Sequence, residues 1–269
     1  MNQLHFLGTG GSRVVVFKQL RASGGVWLSY EDTNLLLDPG PGSLIRILNS
    51  KKLQQSKLTP EKLDGILLSH RHLDHCADIN ILIEAMTEGG FKKRGKVFVP
   101  SDAIAQDPVI YEFIREKPEE IVILQPNHQY SLKSISFKTT NLLAHPVETY
   151  GFNFGFGAEK ISFITDTKLY SGLASEFFGE VVVINVGRLK HSKDYEVDQL
   201  SIGEAVDVLK EIKPRLAILT HFGMTMLQAK PWEVAKKLTE EVGFEIVAAS
   251  DGYSHEIADP NSKQLNMFG

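Results

Sequence analysis

The chain has few of the features that identify disulfide-rich, membrane-spanning or nucleic-acid-binding proteins. Its one cysteine, Cys76, cannot form an intramolecular disulfide, so we expect a reducing, cytoplasmic location. The longest run without Asp, Glu, Lys or Arg is 14 residues, 216–229, which is too short to cross a bilayer, so no membrane contact is expected. A net charge of −4 argues against a global basic field for nucleic acid.

The chain also lacks a Pro/Ser-rich linker, a break in composition and the repeats of a solenoid. We therefore expect a single domain over residues 1–269, with the 42% hydrophobic and 23% charged residues of an ordinary globular protein. Short apolar runs alternate with helix-length segments, which predicts an α/β fold. The clearest predicted helices cover residues 79–88, 102–115, 201–212 and 231–242.

One predicted strand, residues 147–157, carries aromatic side chains at every second position. These aromatics alternate with small or polar residues and so lie on one face of the strand. We expect that face to pack into the core rather than to form a ligand platform. The four aromatic residues are Tyr150, Phe152, Phe154 and Phe156.

Five predicted buried strands each end in a histidine or an aspartate. The terminal residues are Asp38, His70, His145, Asp166 and His221. In α/β folds the core fixes a strand while its carboxyl end reaches a crevice, so sites assemble at these ends. Taken singly, His145 and Asp166 are typical of turns and caps, and His221 of a core or loop histidine. Together they predict that the side chains converge.

The densest cluster is the hexapeptide at residues 70–75, His-Arg-His-Leu-Asp-His. It contains four potential metal ligands in a chain with nine histidines, and a solvated His-rich turn is the alternative interpretation. With His145, Asp166 and His221 there are seven candidates, more than one tetrahedral ion accepts. Two adjacent metals are therefore predicted, an arrangement that suits hydrolysis.

This ordered set, from the Phe-Leu-Gly-Thr-Gly-Gly-Ser of residues 6–12 to His221, resembles the metallo-β-lactamase-fold hydrolase superfamily. The resemblance implies a four-layer αβ/βα sandwich that binds two divalent ions, zinc being expected and manganese or iron the alternatives. Asp166 would bridge the ions, and Asp38 would orient a ligand histidine by hydrogen bonding. The implied ligands are His70, His72 and His145 for one ion and Asp74, His75 and His221 for the other.

The opening motif, the Leu-Thr-His-Phe-Gly of residues 219–223 and the Ala-Ala-Ser-Asp-Gly of residues 248–252 resemble the ribonuclease Z and phosphodiesterase branch. This implies a phosphodiesterase that uses a metal-bridging hydroxide, with Asp74 and Asp166 as catalytic residues and a small phosphodiester or nucleotide-derived substrate. Hydrolysis of a thioester, lactone or other acyl ester is one alternative. A non-catalytic, metal-stabilised binding module is another, and by analogy with such folds a homodimer is a further expectation.

The sequence departs from ribonuclease Z in two places. Only 20 residues separate His145 from Asp166, and two predicted strands occupy them, which leaves no room for the arm that holds tRNA in that family. We therefore do not expect tRNA as a substrate. Gln199 precedes Leu200 and Ser201 where the family has a proton-handling histidine.

A charged loop just before Gln199 offers a substitute for that histidine. His191 is the candidate proton donor, provided that the loop folds over the metals. Arg188, Lys190 and Lys193 in the same loop are a possible phosphate clamp, although we favour a solvated charged loop.

Overall fold

The computed structural model describes residues 2–157, 159–190 and 198–258, which contain two seven-stranded sheets. Strands and helices are numbered in chain order. The first sheet consists of β1 (Gln3–Phe6), β2 (Val26–Tyr30), β3 (Thr33–Leu37), β4 (Gly65–Leu67), β5 (Lys96–Val99), β6 (Glu120–Ile123) and β14 (Ser254–Glu256). The second consists of β7 (Gln129–Leu132), β8 (Ile135–Leu142), β9 (Tyr150–Phe156), β10 (Glu159–Ile164), β11 (Val181–Asn185), β12 (Leu216–Thr220) and β13 (Glu245–Ala248).

Both sheets are mixed. The first has the order β14-β1-β2-β3-β4-β5-β6, antiparallel as far as β3 and parallel from β3 onwards. The second has the order β13-β12-β11-β10-β9-β8-β7, parallel from β13 to β10 and antiparallel from there to β7. Each sheet therefore contains parallel strands whose carboxyl ends share one edge, the edge at which sites form in such sheets.

Most of the described helices pack on the outer faces of the sheets. They are α1 (Arg13–Phe17), α2 (Ser43–Asn49), α3 (Lys51–Gln55), α4 (Leu73–Cys76), α5 (Ile79–Met86), α6 (Ile202–Ile212), α7 (Met224–Gln228) and α8 (Pro231–Val242). None of them is long and apolar enough to cross a membrane. The start and end signals of α8 are visible in the sequence, since Pro231 occupies the first turn and Gly243 the left-handed cap.

Three hydrophobic clusters separate four layers. The central cluster lies between the sheets and includes Leu28 of the first and Phe154 of the second. A second cluster joins the outer face of the second sheet to α6 and α8, and a third joins the outer face of the first sheet to α2, α3 and α5. The predicted αβ/βα sandwich is thus confirmed. The aromatic face of β9 lies in the central cluster, as predicted.

The helix predicted over residues 102–115 is wrong. The structure has only two 3-10 turns there, Ser101–Ala103 and Glu112–Ile114. Pro108 lacks a backbone N–H and disfavours helix in the residue before it, and Asp107 has a left-handed φ of 57°. The apolar residues of this segment pack as a loop on the first sheet, where Ile110 and Ile114 are buried.

His5 connects β1 to its surroundings in the first sheet. The ring lies between two hydroxyls, with Nδ1 2.8 Å from Ser254 Oγ and Nε2 2.9 Å from Ser50 Oγ. Burial and, to a lesser extent, the charge of Lys52 lower the pKa of His5 from 6.5 to about 4. The folded protein therefore keeps His5 neutral at a pH where the unfolded chain protonates it.

This shift predicts a loss of stability in acid. As pH falls from 6.5 to 4, protonation of the unfolded chain lowers the free energy of unfolding, by about 3 kcal/mol at about 1.4 kcal/mol per pKa unit. We expect His5→Gln to remove this part of the pH dependence in urea unfolding measured across that range. His128→Gln, at an exposed histidine, is the control. Equal slopes for His5→Gln and the unmodified protein would contradict the prediction.

Candidate metal centre

Each of the five strand-terminal residues lies within three residues of the carboxyl end of its strand. Asp38 and His221 directly follow β3 and β12, while His70, His145 and Asp166 follow β4, β8 and β10 after short extensions. The side chains of all five lie in one crevice, together with the other metal-type side chains of the 70–75 segment. The predicted convergence is therefore present in the structure.

Three imidazoles form the first cluster. His70 Nε2 lies 3.1 Å from His72 Nδ1, and His145 Nε2 lies 3.0 Å from the same nitrogen. The other ring nitrogen of His145 donates to the carbonyl of Asp198 at 2.9 Å. Because a carbonyl oxygen can only accept, a neutral His145 turns the lone pair of Nε2 towards His72.

Asp74, His75 and His221 form the second cluster. His75 Nε2 lies 3.0 Å from His221 Nε2, and Asp74 Oδ2 lies 3.4 Å from that same His221 nitrogen. Asp74 and His75 lie on α4, and His72 is the residue that precedes this helix. One turn of chain therefore supplies side chains to both clusters.

Asp166 lies between the clusters. The carboxylate and the rings of His70 and His75 form a third possible ligand set, with their atoms within 4.8 Å of one another. Since His70 belongs to the first cluster and His75 to the second, Asp166 is adjacent to both. The side-chain amides of Asn185 and Gln199 donate to its two oxygens, at 2.8 Å to Oδ1 and 2.7 Å to Oδ2.

Asp38 forms a hydrogen bond with the ring nitrogen of His75 that faces away from the second cluster. Its Oδ2 lies 2.9 Å from His75 Nδ1, and its carboxylate also accepts hydrogen bonds from the backbone N–H and the hydroxyl of Ser69, both at 2.7 Å. Asp38 adopts a left-handed φ of 51°, which turns the chain sharply at the end of β3. Because Nδ1 of His75 is engaged, Nε2 is the nitrogen that faces the second cluster.

Burial and neighbouring charges together set the pKa values of the side chains in the crevice. Burial, followed by the neighbouring His75, lowers the pKa of His70 well below 6.5. Burial also opposes charge on His75 and Asp166, but it is outweighed in both. The carboxylates of Asp38 and Asp74 raise the pKa of His75, whereas His221 and His75 hold the pKa of Asp166 well below its usual value.

The donor set fits divalent metal ions. Ligands at about 2.0–2.1 Å from a tetrahedral ion lie about 3.3 Å from each other, close to the ring-nitrogen distances of both clusters. Because Nδ1 of His145 donates to a carbonyl oxygen, the lone pair of its Nε2 points at the His72 ring, and a cation would accept this lone pair. His221 Nδ1 is buried without a hydrogen-bond partner.

Residues 33–222 match the family model of the β-lactamase superfamily domain. The chain belongs to the β-lactamase superfamily. The predicted resemblance is thereby confirmed, and metal-dependent hydrolysis is the class of activity that this membership supports.

Known proteins resemble this superfamily member over different lengths. An uncharacterized protein of Methanocaldococcus jannaschii is 28% identical over 97% of both chains. The ribonuclease Z of Thermoplasma volcanium is 29% identical, over 55% of this chain and 46% of its own length. The metallo-β-lactamase fold protein YhfI of Bacillus subtilis has the same fold, with a TM-score of 0.78 at 19% identity over 95% of this chain and 99% of its own.

A cleft of about 690 Å³ opens beside the metal-type residues of this β-lactamase superfamily protein. Its floor includes His72, His145 and Asp166. Among the described residues that line it, Arg13 at the start of α1 is the one Lys or Arg. The exposed side chain of Leu73 and that of Val14 make part of its wall apolar.

Two predictions concern the loop before Gln199. His191 and Lys193 lie outside the described residues, so the proposed proton donor stays a prediction. Arg188 is neither a phosphate clamp nor solvated: it is buried, and its guanidinium donates to the backbone carbonyl of Gln199 at 2.7 Å. Lys190 is exposed.

Several residues at the site are absent from the sequence predictions. The carbonyl of Asp198 and the amide of Asn185 contact His145 and Asp166 across 53 and 19 residues of chain. Neither carries a local sequence signal. The glycine-rich turn of residues 8–12, part of the opening motif that carries the family resemblance, does have one: Gly11 packs so tightly against His221 that an added Cβ would lie 2.2 Å from Nδ1 of that ring.

This contact generates a prediction about metal content. In Gly11→Ala the new methyl group must displace the His221 ring, so we expect the protein to fold but to bind less metal than the unmodified chain. Gly203→Ala is a matched control because its Cβ meets nothing within 4 Å inside α6, where alanine stabilises a helix by about 0.5–1 kcal/mol. Elemental analysis after dialysis against zinc measures the difference. Full metal content in Gly11→Ala would contradict the packing argument.

Proposed function

We propose that this protein is a dinuclear metal-dependent phosphodiesterase. The observation that carries the proposal is the position of Asp166, which belongs to a possible ligand set with one histidine of each cluster. Three imidazoles on one side and two imidazoles with a carboxylate on the other provide separate sets of donors for two ions. One carboxylate adjacent to both sets is the feature that a single-metal site does not need.

The ligand residues proposed are those predicted from the sequence. His70, His72 and His145 would hold one ion, Asp74, His75 and His221 the other, and Asp166 both, with zinc as the favoured metal. When bound, two such ions supply an activated water near neutral pH and positive charge for the phosphate oxygens.

The other residues orient these ligands. Asp38 occupies Nδ1 of His75 and so directs Nε2 into the second cluster. The carbonyl of Asp198 does the same for His145. Such outer contacts fix the tautomer and ring plane of a ligand histidine.

The cleft supports a small anionic substrate. Its volume of about 690 Å³ is in the range of small-molecule sites. Arg13 would pair with a phosphate oxygen, because a guanidinium matches phosphate geometry. The apolar wall at Val14 and Leu73 would contact the organic part of the diester. The similarity to ribonuclease Z adds support for phosphodiester chemistry.

A small substrate is favoured over tRNA. Most of the interval between His145 and Asp166 is taken up by β9 and β10, which pair antiparallel with each other. The described residues of this interval form no extended arm. We therefore keep the predicted small phosphodiester or nucleotide-derived compound as the substrate class.

The proposal predicts that Asp166→Ala abolishes diester hydrolysis. Loss of the carboxylate shared by the two clusters should also reduce bound metal, while the fold, which rests on the three hydrophobic clusters, stays intact. Hydrolysis of bis(p-nitrophenyl) phosphate by zinc- or manganese-reconstituted protein and elemental analysis measure the two effects. Asp32→Ala, at an exposed aspartate between β2 and β3, is the matched control.

Two outcomes would overturn the assignment. Full diester turnover by Asp166→Ala would exclude Asp166 from the reaction. Turnover of p-nitrophenyl acetate with none of the diester, lost in Asp166→Ala, would support the same centre but assign it to acyl-ester hydrolysis.

A further inference from the structure

Gln199 occupies an unusual position between the candidate bridging carboxylate and the glycine-rich turn. Its Nε2 donates to Asp166 Oδ2 at 2.7 Å, and its Oε1 accepts a hydrogen bond from Ser12 Oγ at 3.0 Å. A carboxylate can only accept, so the NH2 group must face Asp166 and the carbonyl oxygen must face Ser12. Both ends of the amide are therefore assigned by their partners.

The rest of Gln199 is equally confined. A Cβ at Gly187 would lie 2.1 Å from Gln199 Oε1, so the glycine leaves the space that the amide fills. The buried guanidinium of Arg188 donates to the Gln199 carbonyl through Nε at 3.1 Å and through its terminal nitrogen at 2.7 Å. Backbone and side chain are thus both held, which is more than a residue with only a surface role requires.

Gln199 has a counterpart on the other side of the carboxylate. Asn185 at the end of β11 donates to Asp166 Oδ1 at 2.8 Å. We call Asn185 and Gln199 the amide clamp. Each carboxylate oxygen has two lone pairs, so each keeps one after accepting from the clamp. Oδ2, which accepts from Gln199, is also the oxygen that lies 3.8 Å from His75 Nε2.

We propose that Gln199, aligned by Ser12, is a positioning residue that fixes the plane of the Asp166 carboxylate so that it can be shared by two metal ions. This inference rests on the proposed function, since it needs the two-metal centre. An amide releases no proton at physiological pH, so Gln199 does not take over the proton transfer for which a histidine was expected at this position. It holds a ligand instead.

The test measures metal binding rather than turnover. Chelator competition gives the affinities for two equivalents of Co²⁺, and the visible absorption of the Co²⁺ protein reports ligand geometry. In Gln199→Ala we expect the weaker equivalent to lose about 10–100-fold in affinity, the usual effect of removing a group that orients a ligand, with a changed spectrum. In Ser12→Ala, which keeps the bond to Asp166 but frees the amide to rotate, the expected loss is smaller.

Controls separate positioning from folding. Gln125→Ala removes an exposed glutamine and should leave affinity and spectrum unchanged. Thermal unfolding of the metal-free Gln199→Ala protein should match that of the unmodified chain. Gln199→Glu has nearly the same shape but cannot donate when ionised, so its carboxylate repels that of Asp166, and the visible spectrum of its bound Co²⁺ should differ from that of the unmodified protein.

The possible results are distinct. Wild-type affinities and spectra in both Gln199→Ala and Gln199→Glu would overturn the role of Gln199 while leaving the two-metal centre in place. Binding of fewer than two equivalents by the unmodified protein would overturn both this role and the proposed function. A metal-free Gln199→Ala protein with a lower melting temperature, combined with normal affinity in Ser12→Ala and an unchanged spectrum in Gln199→Glu, would make Gln199 a folding residue and also overturn the proposal.

Discussion

The site depends on the close packing of imidazole ring nitrogens in a buried crevice. His145 and His75 each have one ring nitrogen engaged by an oxygen, and the other nitrogen of each lies 3.0 Å from a further imidazole nitrogen. A divalent ion would accept lone pairs from several of these nitrogens at once, at the ligand spacing present here, and the carboxylates of Asp74 and Asp166 would balance its charge.

Such crowding costs stability, so the surrounding fold must hold the ligands in place. The strands hold the ligands because their apolar side chains are buried in the hydrophobic clusters. The turns hold them through strained backbone conformations. Asp38, Ser12 and His221 all adopt positive φ, with values of 51°, 65° and 60°. Each is fixed by long-range contacts: Phe222, next to His221, donates its N–H to the carbonyl of Thr9 at 2.8 Å. Strain of this kind persists only where neighbouring structure determines it.

The sequence predicts most of what depends on local pattern and does not reveal contacts between distant residues. The strand ends at Asp38, His70 and His221 are visible because apolar runs precede them, and the sandwich follows from the family resemblance. The helix predicted over residues 102–115 is a local failure, because Pro108 breaks a segment whose apolar spacing favours a helix. The burial of Arg188 was missed because its partner, the Gln199 carbonyl, lies 11 residues away and has no side-chain signature. The edge strand β14, whose sequence is Ser-His-Glu, has no apolar residues and therefore carries no strand signal in the sequence.

Gln199 gives the site a different physical chemistry from the histidine that the resemblance to ribonuclease Z implies at this position. An imidazole changes both its charge and its hydrogen bonding when it gains or loses a proton. An amide keeps one NH2 group and one carbonyl at every physiological pH. With Ser12 on one side and Asp166 on the other, the orientation of the carboxylate becomes independent of protonation at this position. Any proton needed by a leaving group must then come from another residue, such as the predicted donor His191, or from solvent.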